Sequence, residues 1–190
     1  SMPFLVEIPR VVNEESRLKK YWFRNDNDKS FTRIMVQHGS RDMMNEAFRV
    51  FRTNLDMVID KKPGEAYVAM FTSFNPNAGK TFVIQNIAAS MALKGANVLM
   101  VDLDLRKATL GKANEKEHRG VAAYLNGKAA DYHDNIDVIS ENLYLLPVGK
   151  LPPNPAELLL TERFRSMIDS LRKEYDYIFI DCPPIDIVAD

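Results

Sequence analysis

A single cysteine, Cys182, occurs in the 190 residues; this excludes an internal disulfide, and no charged, apolar and small-residue leader opens the chain. Both absences suit the cytosol. Histidine is scarce as well, and His38, His118 and His133 show no metal-ligand spacing, so each reads as a solvated or core residue. No apolar run approaches the ~20 residues that cross a bilayer. The chain is therefore not expected to span a membrane itself, which leaves room for a longer parent that does. Excess charge of one sign is also missing. Lys plus Arg number 25 against 26 Asp plus Glu, so no basic surplus is available to track a nucleic-acid backbone.

What remains is a chain that is 46% hydrophobic and 27% charged, enough for one independently folding core. Ser1-Met2 reads as a cloning remnant. Residues 10–40, rich in charge, Asn and Ser with an aromatic island at Tyr21-Trp22-Phe23, read as a linker, so residues 1–41 are taken as a lead-in arm and 42–190 as the domain. From Asp42 to Ile59 the apolar residues Met44, Ala47, Phe48, Phe51, Leu55, Val58 and Ile59 recur at three- and four-residue steps, which predicts an amphipathic helix ended by Pro63-Gly64.

Residues 67–72 then form a short apolar run that fits a strand buried on both faces. A loop from Ser73 to Gly79 leads into a mostly apolar helix from Thr81 to Lys94, with Gly95 just past its last turn. Residues 98–102 make a second interior strand, so strand, loop, helix and strand form a βαβ unit. Later, residues 143–146 are strand-like. Asn154-Pro155-Ala156-Glu157 supplies an N-cap and a first-turn proline, predicting a helix that buries Leu158, Phe164, Met167, Ile168 and Leu171 and stops near Tyr175. Residues 177–181 form another interior strand ending in Asp181. The alternation predicts an α/β fold with a mainly parallel sheet covered on both faces.

The segment Phe74-Asn75-Pro76-Asn77-Ala78-Gly79-Lys80-Thr81 lies between a predicted strand and a predicted helix. A phosphate loop needs backbone N–H groups aimed at an anion, a helix N-terminus, a lysine for the β- and γ-phosphates and a hydroxyl for Mg²⁺. Gly79, Lys80 and Thr81 supply the end of that pattern, while its first glycine is replaced by Phe74. Alone, the segment has a second reading, a glycine turn capped by threonine before a core helix. Asp102-x-Asp104 and Asp181 add carboxylates at the C-terminal ends of interior strands, where open α/β sheets place ligands and where hard oxygens hold a divalent cation beside a triphosphate. Taken singly, each reads as a helix cap or a solvated loop residue.

Five ordered segments resemble the bacterial tyrosine kinases that control surface-polysaccharide assembly. Glu46-x-x-Arg49-x-x-Arg52 is similar to their E-x-x-R-x-x-R helix, residues 74–81 to their Walker A loop, residues 98–107 with Asp102, Asp104, Arg106 and Lys107 to their Walker A′, and residues 177–184 to their Walker B. Residues 151–159 resemble a further segment of that family. The resemblance implies a P-loop NTPase fold related to the cell-division and plasmid-partition ATPases, and ATP-dependent autophosphorylation on tyrosine. It implies ATP/ADP and Mg²⁺ as ligands. Residues Asn77, Ala78, Gly79, Lys80, Thr81 and Phe82 would cradle the nucleotide, Thr81, Asp102 and Asp181 the metal, and Lys80, Asp102 and Asp104 would carry catalysis. A base matters because a phenol has a pKa of about 10.

Spacing alone reads Glu46, Arg49 and Arg52 as a solvated helix face with an internal ion pair. The resemblance implies instead a subunit contact in a ring-like homo-oligomer, a membrane activator domain outside this chain, a cytoplasmic site at the inner face of the membrane, and no nucleic acid. Two departures stand out: Asn77 replaces a glycine found in many relatives, and the chain stops nine residues after Asp181, so a C-terminal part of the family domain with its tyrosine-rich tail is expected to be missing. A partition-type ATPase and a non-catalytic interaction module are the competing readings. Of the seven tyrosines, Tyr67, Tyr144 and Tyr177 read as sheet packing and Tyr21, Tyr124, Tyr132 and Tyr175 as exposed.

Overall fold

The computed structural model describes residues 5–9, 34–59, 64–75, 78–103, 120–150 and 155–184. Asn77, Asp104, Arg106, Lys107, His118, residues 151–154 and the aromatic island at 21–23 lie outside the described residues. The first helix, α1 (Met43–Val58), is capped by Asp42, whose carboxylate accepts from the N–H groups of Met44 and Asn45. Its apolar stripe buries Met44, Phe48, Phe51 and Leu55, as the three- and four-residue spacing requires. β1 (Tyr67–Phe71), α2 (Lys80–Ala92) and β2 (Val98–Asp102) follow and make the expected βαβ unit.

α3 (Gly120–Leu125), β3 (Asp137–Ser140), β4 (Leu143–Leu146), α4 (Pro155–Leu158), α5 (Glu162–Leu171) and β5 (Tyr177–Asp181) complete the described elements. The five strands run in the order β1-β5-β2-β4-β3, with only β3 antiparallel to its neighbour. β2 and β5 therefore lie inside the sheet. In β2, Val98 and Met100 enter one core layer with α1 and α2, while Leu99 and Val101 enter the opposite layer with α3 and α5. This alternation across two buried faces explains why the strand reads as an unbroken apolar run.

Three expectations are corrected. β1 is an edge strand rather than one buried on both faces, because β5 occupies the place between it and β2 and leaves Met70 69% exposed. The single helix expected after Asn154 is two: α4 ends at Leu158, and the chain turns at Thr161, whose hydroxyl accepts from Phe164 N–H to start α5. Tyr132 is buried, its ring packed edge-on to Tyr124 and stacked on His133.

Gly120 shows why the α3 junction is sequence-specific. Its φ is +87° and an added Cβ would lie 2.5 Å from the backbone nitrogen of Gly149 and 2.6 Å from the carbonyl carbon of Val148. The close approach lets Val121 and Ala122 donate to the carbonyls of Pro147 and Val148, both at 2.9 Å. Gly120→Ala combines left-handed strain with a backbone clash. It is expected to cost about 3 kcal/mol, a fall in melting temperature of roughly 6–12 °C in a thermal denaturation scan.

His133 gives the fold a second sensitive point. Its Nδ1 lies 2.7 Å from Asp131 and its Nε2 3.1 Å from Glu174 at the end of α5. Burial works to lower its pKa, but the two carboxylates outweigh it and hold the imidazole above its ordinary value. A raised folded pKa means that the stabilisation is fully present below the unfolded value near ~6.5 and is lost as pH rises through the folded value. Wild type is thus expected to lose more melting temperature than His133→Gln between about pH 6 and pH 8. Parallel curves for the two proteins would contradict this.

Candidate functional site

The C-terminal ends of β1, β5 and β2 meet the N-terminus of α2. In register, Asp181 lies beside Phe71 on one side and Asp102 on the other. Backbone bonds lock the three ends together: Cys182 N–H donates to Phe71 O and Leu103 N–H to Asp181 O, each at 2.9 Å. Both Asp102 and Asp181 are fully buried. Neighbouring strands lie about 4.8 Å apart, and two buried carboxylates at paired positions repel each other unless a cation sits between or beside them.

The compensating cation comes from α2. Lys80 forms an ion pair with one oxygen of Asp181, and the Thr81 hydroxyl donates to the other oxygen at 2.7 Å. Asp181 therefore binds Lys80 and Thr81 at once. Gly79 adopts φ +87° at the helix N-cap and has no side chain to cap the first turn. That conformation suits glycine, and it leaves an N-terminus whose first-turn amides lack intrahelical carbonyl partners and whose dipole favours an anion. Cys182, next to Asp181, is a free, buried thiol whose pKa burial raises against the lowering field of Lys80; it packs rather than reacts.

The donor set suits Mg²⁺ bound with a nucleotide. It offers a hydroxyl and two carboxylates, all hard oxygens, and no cluster of three or more His, Cys, Asp or Glu that could cage a metal occurs among the described residues. Mg²⁺ is commonly held in this way, by one or two protein oxygens with waters and phosphates filling the rest.

Of the residues expected at the site, Lys80, Thr81, Asp102 and Asp181 are brought together; Ala78, Gly79 and Phe82 flank them in the loop and first helical turn, while Asn77 and Asp104 lie outside the described residues. On α1, Glu46 and Arg49 pair with each other on the exposed surface. Arg52 turns inward: its Nη1 donates to the Ser90 carbonyl and hydroxyl, both at 3.0 Å, tying α1 to α2. One residue went unnoticed in the sequence reading. Asn86, fully buried, accepts from Met35 and Val36 N–H at 2.6 and 3.2 Å and donates to Phe82 O at 2.9 Å, so it pins residues 35–36 against the first turns of α2. Its signal was an amide inside an apolar helix, since a buried polar group needs partners.

The AAA-domain family pattern matches residues 68–188. The tyrosine-protein kinase CpsD of Streptococcus pneumoniae serotype 4 is 40% identical over 147 residues, 76% of this chain and 63% of CpsD. The putative tyrosine-protein kinase CapB of Staphylococcus aureus is 31% identical across 83% of this chain and 68% of CapB. Among solved structures, the kinase domain of the Escherichia coli tyrosine kinase ETK superposes with a TM-score of 0.77 at 26% identity, covering 96% of this chain and 69% of that domain. This chain thus spans less than two thirds of CpsD. No helix among its described residues is long and apolar enough to cross a membrane. With the phosphate loop, the paired strand-end carboxylates and these likenesses in place, the chain belongs to the bacterial tyrosine-kinase family and carries its P-loop AAA domain.

Proposed function

We propose that this domain binds ATP with Mg²⁺ at the mouth of α2 and serves a tyrosine autokinase of surface-polysaccharide assembly and export. The observation that carries the reading is the convergence of Lys80 and Thr81 on Asp181, in register with Asp102. ATP with Mg²⁺ supplies the γ-phosphoryl group and a divalent counter-charge. Backbone N–H groups from Asn77 to Phe82 hold the phosphates. Lys80 would hold the β- and γ-phosphates, where its charge would stabilise the transition state more than the ground state. Thr81, Asp102 and Asp181 would hold the metal as oxygen donors. Asp102 or Asp104 would orient the tyrosine hydroxyl and accept its proton.

In this reading the domain works at the cytoplasmic face of a membrane, activated by a membrane-borne domain outside this chain, and self-associates as a ring. Glu46 and Arg49 face a neighbouring copy, and Arg52 keeps α1 seated on α2 for that contact. The test is mass spectrometry after incubation with Mg²⁺ and ATP in the presence of a tyrosine-rich acceptor peptide. Phosphotyrosine formed by wild type and lost in Lys80→Met supports the reading. Release of ADP and phosphate with every tyrosine unmodified contradicts it and favours a partition-type ATPase.

A further inference from the structure

Two neighbouring amides on α2 have opposite surroundings. Asn86 accepts from Met35 and Val36 N–H and donates to Phe82 O. Gln85 is just as fully buried, yet neither its Nε2 nor its Oε1 has a hydrogen-bond partner among the described residues. The other buried side-chain orphan there, Nε of Arg172, belongs to a guanidinium whose Nη2 still reaches Glu65 at 3.7 Å. At Gln85 the whole polar end is unmatched. A buried amide in that position loses the hydration of both its groups and gains nothing in return, whereas an apolar side chain of the same shape avoids the loss. Packing therefore does not account for a glutamine at this position.

Its place on the helix says where the amide can act. Gln85 stands four residues after Thr81, one turn along the same side of α2, and Ala88 and Ala92 continue the stripe. Both alanines are buried in the core layer that also takes Val98 and Met100 of β2, so this stripe faces the sheet. Alternation along β2 puts Asp102, two residues beyond Met100, on the same face. Helix side chains lean toward the helix N-terminus, which directs a long side chain at position 85 toward Thr81 and the strand-end carboxylates. Asn86, about 100° further round the helix, serves the contact with residues 35–36 instead. Of the two carboxylates, Asp181 already holds Lys80 on one oxygen and Thr81 on the other. A carboxylate has about four acceptor sites, so Asp102 can take a further donor beside those it has.

We propose that Gln85 is a positioning residue for Asp102: in the protein loaded with Mg²⁺ and nucleotide, its Nε2 donates to the Asp102 carboxylate and holds it in the orientation the metal needs. The assignment rests on the magnesium–nucleotide reading of the site. Carboxylates that ligate metals are themselves commonly held by hydrogen bonds, and removal of such a partner costs about 10–100-fold in metal affinity. The unmatched amide is a penalty that loading removes, so Gln85 adds to the driving force for loading as well as to its geometry.

The test replaces Gln85 by methionine, an unbranched side chain of similar volume without a hydrogen-bonding amide. In urea denaturation without nucleotide, Gln85→Met is expected to have a midpoint at or above that of wild type. In calorimetric titrations with ADP, the Mg²⁺ concentration that gives half-maximal binding should rise at least about tenfold in the variant, with one-to-one binding retained at saturating Mg²⁺. In wild type, the Gln85 side-chain amide protons, assigned in NMR spectra by their disappearance in Gln85→Met, should shift downfield when Mg²⁺ and ADP are added. A glutamine that only fills space would change neither the Mg²⁺ requirement nor the amide resonance. A lower urea midpoint, an unchanged Mg²⁺ requirement or an amide resonance that does not move, in protein that binds ADP, overturns the proposal and leaves the nucleotide site standing. Wild type that binds no ADP at any Mg²⁺ concentration overturns both.

Discussion

Lys80→Met is expected to lower tyrosine phosphorylation by about 10²–10³-fold, the loss seen when one preorganised electrostatic group is removed from a transition state. Methionine keeps much of the length and apolar stem of lysine, so the loop retains its packing. Charge is what goes. The substitution also leaves Asp181, fully buried and beside Asp102 in register, without the ammonium that now pairs with it. Breaking a buried pair from one side typically costs about 3–5 kcal/mol. Lys80→Met is therefore expected to be less stable than wild type in urea denaturation as well as inactive. A variant that lost stability but kept full activity would show that Lys80 is only a structural counter-ion.

Asp181→Asn is the complementary case, and its two effects should separate. An amide keeps the volume of the side chain and can still accept from the Thr81 hydroxyl, while removal of one carboxylate relieves repulsion with Asp102. Lys80 then lacks its ion-pair partner, but its long stem can carry the ammonium toward solvent. The stability loss is expected to be smaller than that of Lys80→Met, about 1–2 kcal/mol. Its effect on function should nonetheless be large. A neutral oxygen is a poor Mg²⁺ ligand beside a triphosphate, so the Mg²⁺ dependence of ADP binding should fall at least about tenfold. Unchanged Mg²⁺ dependence in Asp181→Asn would remove Asp181 from the metal site.

The contrast between these two substitutions shows which parts of the site could be read in advance. Val98–Asp102 and Tyr177–Asp181 stand out because strands buried on both faces leave no room for polar interruption until the terminal aspartate. Gly79-Lys80-Thr81 stands out because a glycine, a cation and a hydroxyl at a strand-to-helix turn have a specific chemistry. Chain order could not show that β5 inserts between β1 and β2, and that insertion places Asp181 beside both the loop and Asp102. It is a property of sheet topology, fixed by contacts between residues roughly 80–110 positions apart.

Local pattern failed where the surroundings decide the outcome. The strand Asp137–Ser140 is a bulged antiparallel edge with Val138 exposed, so no buried alternation marks it. The break at Thr161 depends on a hydroxyl that accepts one N–H and donates to Leu158 O at 2.7 Å, a choice open to any threonine in a helical run. Arg52 matched a motif spacing on an apparently solvated face, yet its partner Ser90 sits on another helix. Spacing puts a side chain on a face but does not say what packs against that face. The same holds for Tyr132, which reads as exposed until Tyr124 and His133 close over it.

Lys80, Thr81, Asp102 and Asp181 are proposed to form one magnesium–nucleotide site. Calorimetric titration of ADP into the wild-type protein, with Mg²⁺ and then with Mg²⁺ chelated, tests it most directly. Saturable one-to-one binding that requires Mg²⁺ and disappears in Lys80→Met is expected. Binding indifferent to both the metal and the lysine, or no binding under either condition, would contradict it.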